Sequence, residues 1–133
     1  MILEIDTRSG APIYRQVMDQ IRRQIMTGQL VEGEQVEQVR NLAARLKVNP
    51  MTISKAYGYL EQEGLLERRR GIGLFVQRVK GAQRQQVRNQ LLEEALKAAA
   101  SSAVQLGISE KEASELFGKF YRQYGEQRKG EKS

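Results

Sequence analysis

The residues of this 133-residue chain best suited to chemistry are cations and hydroxyls, and they crowd into one stretch. Of 22 Lys+Arg and 16 Asp+Glu, nine and three fall between Arg40 and Lys80, which leaves 13 of each elsewhere. The formal net charge of +6 therefore lies wholly on that stretch. Guanidinium and ammonium groups massed in this way displace counterions from phosphates, so they imply a polyanionic partner. Catalytic and metal chemistry is poorly supplied. The chain has no Cys and no His. That removes thiolate zinc sites, thiol redox sensing, the commonest metal ligand and the usual general base. Glu61, Glu63, Glu93 and Glu94 fall on predicted helices as surface charges rather than as a converging carboxylate pair. Neither enzyme activity nor a cofactor or metal is expected.

The elements that must position the cations follow from local signals. Gly10-Ala11-Pro12 opens a first helix with Pro12 at its first helical position. Its apolar positions are Ile13, Tyr14, Val17, Met18, Ile21 and Ile25, and Gly28 ends it. A second helix is predicted from about Val36 or Glu37 to Leu46, burying Val39, Leu42, Ala43 and Leu46. Asn49-Pro50 starts the third, because Pro pushes its predecessor into the extended geometry a cap needs and Asn is a strong cap. That helix buries Ile53, Ala56, Tyr57 and Leu60 and stops at Gly64, leaving Thr52, Ser54, Lys55 and Gly58 for a partner. Leu65–Arg69 and Leu74–Arg78 read as strands around the turn Arg70-Gly71-Ile72-Gly73. Gly71-Ile72-Gly73 opens no helix, so it is not a nucleotide loop. Two helices meeting at a short turn, followed by a basic hairpin, suit a winged helix-turn-helix on duplex DNA.

From Gln83 the texture changes. Val87, Leu91, Leu92, Ala95, Leu96, Ala99, Ala103 and Leu106 form a wide apolar stripe on one helix, which Gly107 ends. Ser109-Glu110-Lys111-Glu112 is a capping-box pattern opening another. That helix carries Ala113, Leu116, Phe117, Phe120, Tyr121 and Tyr124 at helical spacing. A two-helix hairpin cannot bury two broad stripes against itself alone. Pairing with a second chain is preferred, since twofold homodimers are the commonest oligomers and suit twofold sites; folding back on the first domain is the alternative. The expected pairing residues are Leu91, Leu92, Ala95, Leu96, Leu116, Phe117, Phe120, Tyr121 and Tyr124. The expected fold class is mainly α with a small β wing, an N-terminal winged helix-turn-helix followed by a two-helix C-terminal hairpin. Its domains are a DNA-binding part over 1–80, a dimerisation part over 81–125 and a disordered tail over 126–133.

Pro12-Ile13-Tyr14, Val39-Arg40-Asn41-Leu42-Ala43, Val48-Asn49-Pro50-Met51-Thr52-Ile53, Tyr57 with Leu60-Glu61-Gln62-Glu63-Gly64-Leu65, and Arg69 to Val76 together resemble the GntR family of bacterial regulators. Val48-Asn49-Pro50 and the short C-terminal part look most like its YtrA-type subfamily, whose members often control transporter operons. The resemblance implies a guanine or phosphate contact for Arg40. It implies recognition-helix contacts for Asn49, Thr52, Ser54 and Lys55, and a wing tip at Arg70, Gly71 and Gly73. Departures are Glu37-Gln38 in place of Pro-Ser, Pro50 where several relatives carry a base-reading Arg, Leu74 in place of Thr, and apolar Ile72 at the wing tip. The expected function is a homodimeric repressor on a palindromic site. The competing reading is an architectural DNA-binding or protein-interaction module without sequence preference. No run of apolar residues is long enough for a membrane span, and the start lacks the basic region of a signal peptide, so a cytoplasmic location is expected. Nothing in the chain specifies a small-molecule effector.

Overall fold

A computed structural model describes residues 1–132. In chain order the elements are α1 (Ile13–Thr27), α2 (Val39–Leu46), α3 (Pro50–Gln62), β1 (Leu66–Arg69), β2 (Gly73–Val76), α4 (Gly81–Gln105) and α5 (Glu110–Lys132). They divide into one compact unit over Met1–Leu91 and a second from Leu92 onward, so the boundary falls within α4. The fold class is the expected one, helical with a two-stranded antiparallel wing.

In the first unit the helix ends follow their local chemistry. Pro12 lies one residue outside α1, and its carbonyl accepts from the amides of Arg15 and Gln16 at 3.1 Å each. Gly28 closes α1 with a left-handed φ of 82°. The Asn49 side chain accepts from the Met51 amide at 2.8 Å, with Pro50 as the first helical residue of α3. At the other end Gly64 turns left-handed, and the Leu65 amide returns to the Leu60 carbonyl at 3.0 Å. α2 ends in the same way, with the Val48 amide on the Ala43 carbonyl, but there the left-handed residue is Lys47 at φ 57°. A side chain in that conformation costs about 1–2 kcal/mol.

α2 begins later than its sequence suggests, for a non-local reason. The Gly33 amide donates to the Val76 carbonyl at 2.8 Å, the Val76 amide to Glu34 at 2.8 Å, and the Val36 amide to Leu74 at 3.0 Å. After the turn at Gly33, residues 34–36 are therefore held beside β2, and a helix cannot start until the chain leaves that edge. Val36 is buried there, and the Tyr57 hydroxyl donates to the Glu37 carbonyl at 2.6 Å, tying α3 to the entry of α2. The core gathers Val17, Ile21 and Ile25 of α1, Leu42 of α2, and Ile53, Tyr57 and Leu60 of α3 with Leu65, Leu74 and Val76. The first turns of α4 join this unit. Gln83 donates its amide to the Glu63 carbonyl, and Arg84 donates to the Met26 carbonyl at 2.7 Å. The carboxylate of Glu63 also meets Arg22, which holds Asp19 at 2.7 Å. Burial works against the Arg22 charge, but Glu63 and Asp19 outweigh it and raise its pKa.

Leu91 corrects one expectation. It is only 7% exposed, packed with Val87 into the core of the first unit, and so is withdrawn from the surface expected to pair with a second chain. Its i−4 neighbour Val87 shares its face of α4, which turns the start of the apolar stripe inward.

In the second unit Gly107 is left-handed at φ 71°, and the Ser109 hydroxyl accepts from the Glu112 amide at 3.1 Å, starting α5. α5 passes through Gly125 to Lys132, where the sequence suggested a disordered tail from 126. Gly125 has no positive φ, and the Glu, Gln, Arg and Lys that follow are good helix formers. Ser133, the last residue of that expected tail, lies outside the described residues. Leu92, Leu96, Leu116, Phe117, Phe120, Tyr121 and Tyr124 are 40–69% exposed. Between the end of α4 and the start of α5 lies an open apolar cleft of about 580 Å³, lined by Leu96, Ala99, Ala103, Val104, Ile108 and Phe117. Ala95 is exposed as well.

Candidate nucleic-acid interface

α3 shows two unlike faces. Ile53, Ala56, Tyr57 and Leu60 are buried, while Met51, Ser54, Lys55, Tyr59 and Gln62 are exposed. Thr52 is half-buried on the flank between them. Ser54 and Lys55 therefore stand where a partner can reach them, and Thr52 can be reached only from the side. Asn49 is exposed, but its side-chain oxygen already caps α3, so its amide nitrogen is what remains for a partner. Lys55 is steadied by stacking, its Nζ lying 4.1 Å from the centre of the Tyr14 ring. Tyr14 itself stands 5.8 Å from Tyr59. Sequence reasoning assigned Tyr14 to the core and missed this contact, which joins two helices and leaves no mark in local spacing.

The cations divide into committed and open groups. Arg45 donates to Glu37 at 2.7 Å, and Arg68 meets Glu61 at 3.2 Å. The Glu37 hydrogen bond raises the Arg45 pKa. Tyr57 has its pKa raised by burial and then by the Glu37 charge, so its phenol stays protonated. Arg40 is exposed on the first turn of α2, and Arg70 is exposed on the wing turn; neither has an acidic partner among the described residues. Arg68 and Arg69 alternate faces as strand geometry demands. Arg68 reaches α3, and Arg69 lies over the Phe75 ring at 4.1 Å.

The wing tip is built on backbone freedom. β1 pairs with β2 from Leu66↔Val76 to Arg69↔Gly73, and the Ile72 amide closes the turn on the Arg69 carbonyl at 3.0 Å. Gly71 takes φ 78° and Gly73 φ 142°, values that side-chain-bearing residues adopt only with strain. Gln35 braces the tip, donating to the Ile72 carbonyl at 3.0 Å. A Cβ on Gly73 would fall 2.7 Å from that Gln35 amide. This brace is a second contact that sequence reasoning missed, because it spans two loops far apart in the chain. The cleft between α2, α3 and the wing holds about 190 Å³, smaller than sites that enclose small molecules. No cluster of metal-ligating side chains occurs among the described residues. No helix there is long and apolar enough to cross a membrane.

The sequence pattern described as "Bacterial regulatory proteins, gntR family" matches residues 13–76, the span from α1 through β2. The chain is 30% identical to a GntR family transcriptional regulator from Listeria monocytogenes, with a TM-score of 0.69 over 86% of this chain and 98% of that one. The chain belongs to the GntR family of bacterial regulatory proteins. Within the family it is YtrA-like: it is 40% identical over 75 residues to the HTH-type transcriptional repressor YtrA of Bacillus subtilis (strain 168). That match covers 56% of this chain and 58% of the repressor, little more than half its length. The DNA-binding domain of AraR, solved in complex with operator ORX1, is 30% identical with a TM-score of 0.51, over 56% of this chain and 95% of that one. GntR relatives with these names are regulators, so the family places the chain in transcription control rather than catalysis.

Proposed function

We propose that this GntR-family chain is a homodimeric, sequence-specific, cytoplasmic repressor that docks two copies of α3 in the major groove of a palindromic site. The DNA-binding part would occupy residues 1–80. The pairing part would lie within 81–125 and use Leu92, Ala95, Leu96, Leu116, Phe117, Phe120, Tyr121 and Tyr124. One observation carries the DNA reading. The polar face of α3 is open to solvent, and unpaired Arg40 and Arg70 lie on the turn-linked helix before it and the wing after it. Arg matches guanine O6 and N7 with two hydrogen bonds, hydroxyls serve bases or phosphates, and the capped start of α3 favours a phosphate. The exposed side chains of Leu92, Leu96, Leu116, Phe117, Phe120, Tyr121 and Tyr124 support pairing, because a patch of that kind marks an interaction site.

The test is Arg40→Ala against a selected duplex and a scrambled one. Base readout predicts a loss of about 1–3 kcal/mol confined to the selected site. Equal loss on both duplexes would reduce Arg40 to a phosphate contact. Competition with bulk DNA separates a repressor from an architectural protein, since specific binding exceeds nonspecific by at least about 10³.

A further inference from the structure

The inference rests on the reading of α3 as the major-groove helix. At 3.6 residues per turn, the direction opposite Ile53, Ala56, Tyr57 and Leu60 runs along Met51, Lys55, Gly58 and Gln62. That row, more than Thr52, is the centre of the open face. Two of its members have no explanation inside the fold. Met51, in the first turn, is 77% exposed, an apolar side chain that the core does not use. Gly58 sits mid-helix with an ordinary right-handed backbone, and a Cβ added there would meet nothing within 4 Å. Glycine at such a position costs about 1 kcal/mol relative to Ala, and neither φ nor packing calls for it.

A closely approaching duplex answers both. Among the groups that base edges display in the major groove, the C5 methyl of thymine is the apolar one, and it prefers an apolar contact. A thioether side chain is flexible and polarizable enough to settle against it. Bare backbone at Gly58, about two turns further along, lets the helix sit deeper, while the flanking Ser54 and the ring-steadied Lys55 supply polar contacts. We propose that Met51 reads the methyl of one thymine in each half-site, and that Gly58 provides the clearance this approach requires.

The full chain is used to select duplexes from a randomised pool. Each thymine of the selected site is then replaced singly by deoxyuridine, which removes the methyl and keeps every hydrogen-bonding group. Wild type is expected to lose about fourfold at one thymine per half-site, the worth of one buried methyl. Met51→Ala is expected to bind the intact site more weakly and to be indifferent to that replacement. Gly58→Ala is expected to unfold at a higher temperature while binding less tightly. A wild type that selects a site yet tolerates every deoxyuridine overturns the inference and leaves the repressor reading intact. So does a sensitivity that persists in Met51→Ala, or a Gly58→Ala that binds as well as wild type. If no site is enriched, the repressor reading fails, and this inference fails with it.

Discussion

Tyr57 on α3 and Phe120 on α5 are large rings in apolar stripes of the same helical spacing, yet one is 2% exposed and the other 47%. The difference belongs to their units. Around Tyr57 the first unit supplies α1, α2 and the wing, a hydroxyl acceptor at Glu37, and carbonyl acceptors for the first turn of α4. In the second unit Phe120 has the Lys119 ammonium 5.9 Å from its ring centre, while Phe117 stands against Tyr121 and lines an open cleft. Periodicity announces that a helix has an apolar face; it does not say what covers that face. The first unit completes its core from its own residues, and under the proposed function the second completes its core only with another copy.

Breaking each side of this contrast should give different signatures. The largest effect is expected in the first unit. Leu60→Ala removes a fully buried side chain, so denaturant unfolding should show a loss of about 2–5 kcal/mol. A loss below 1 kcal/mol would mean that this core is not closed. In the second unit, Phe117→Ser with Phe120→Ser should lower dimer affinity by at least about 2 kcal/mol in sedimentation, the scale of interface hot spots. The unfolding midpoint of the first unit should move little. A falling midpoint with unchanged association would show those rings covered within one chain. The smallest effect sharpens the contrast from inside the first unit. Lys47→Gly relieves the left-handed lysine at the end of α2 and should stabilise by about 0.5–1 kcal/mol in the same denaturant experiment.

Much of the first unit was legible because its punctuation is local chemistry. Asn49-Pro50, Gly28, Gly64 and Gly107 each mark a helix boundary through their own backbone preferences, and each boundary lies there. The start of α2 was not legible, since pairing of residues 33–36 with β2 depends on a strand some forty positions later. Lys47 carries no signal for a left-handed turn. Leu91 fits the stripe of α4 equally well whichever unit buries it, so spacing alone could not place it. The candidate interface was partly readable. Arg40, Ser54, Lys55 and Arg70 announce themselves by type and outward phase, and all four are exposed. The helpers do not: Tyr14 under Lys55 and Gln35 against the wing act across long stretches of chain. The commitment of the Asn49 oxygen to its own helix follows from the same capping chemistry that located α3.

The most direct measurement of the central claim joins site selection to mass. The full chain is offered a randomised duplex library at moderate salt, and the complex on the enriched sequence is sedimented to count protein chains. The expected result is an inverted repeat with half-sites about 34 Å apart, one helical turn, carrying two chains per duplex. No enriched sequence, or a single chain bound to an asymmetric one, would contradict the account.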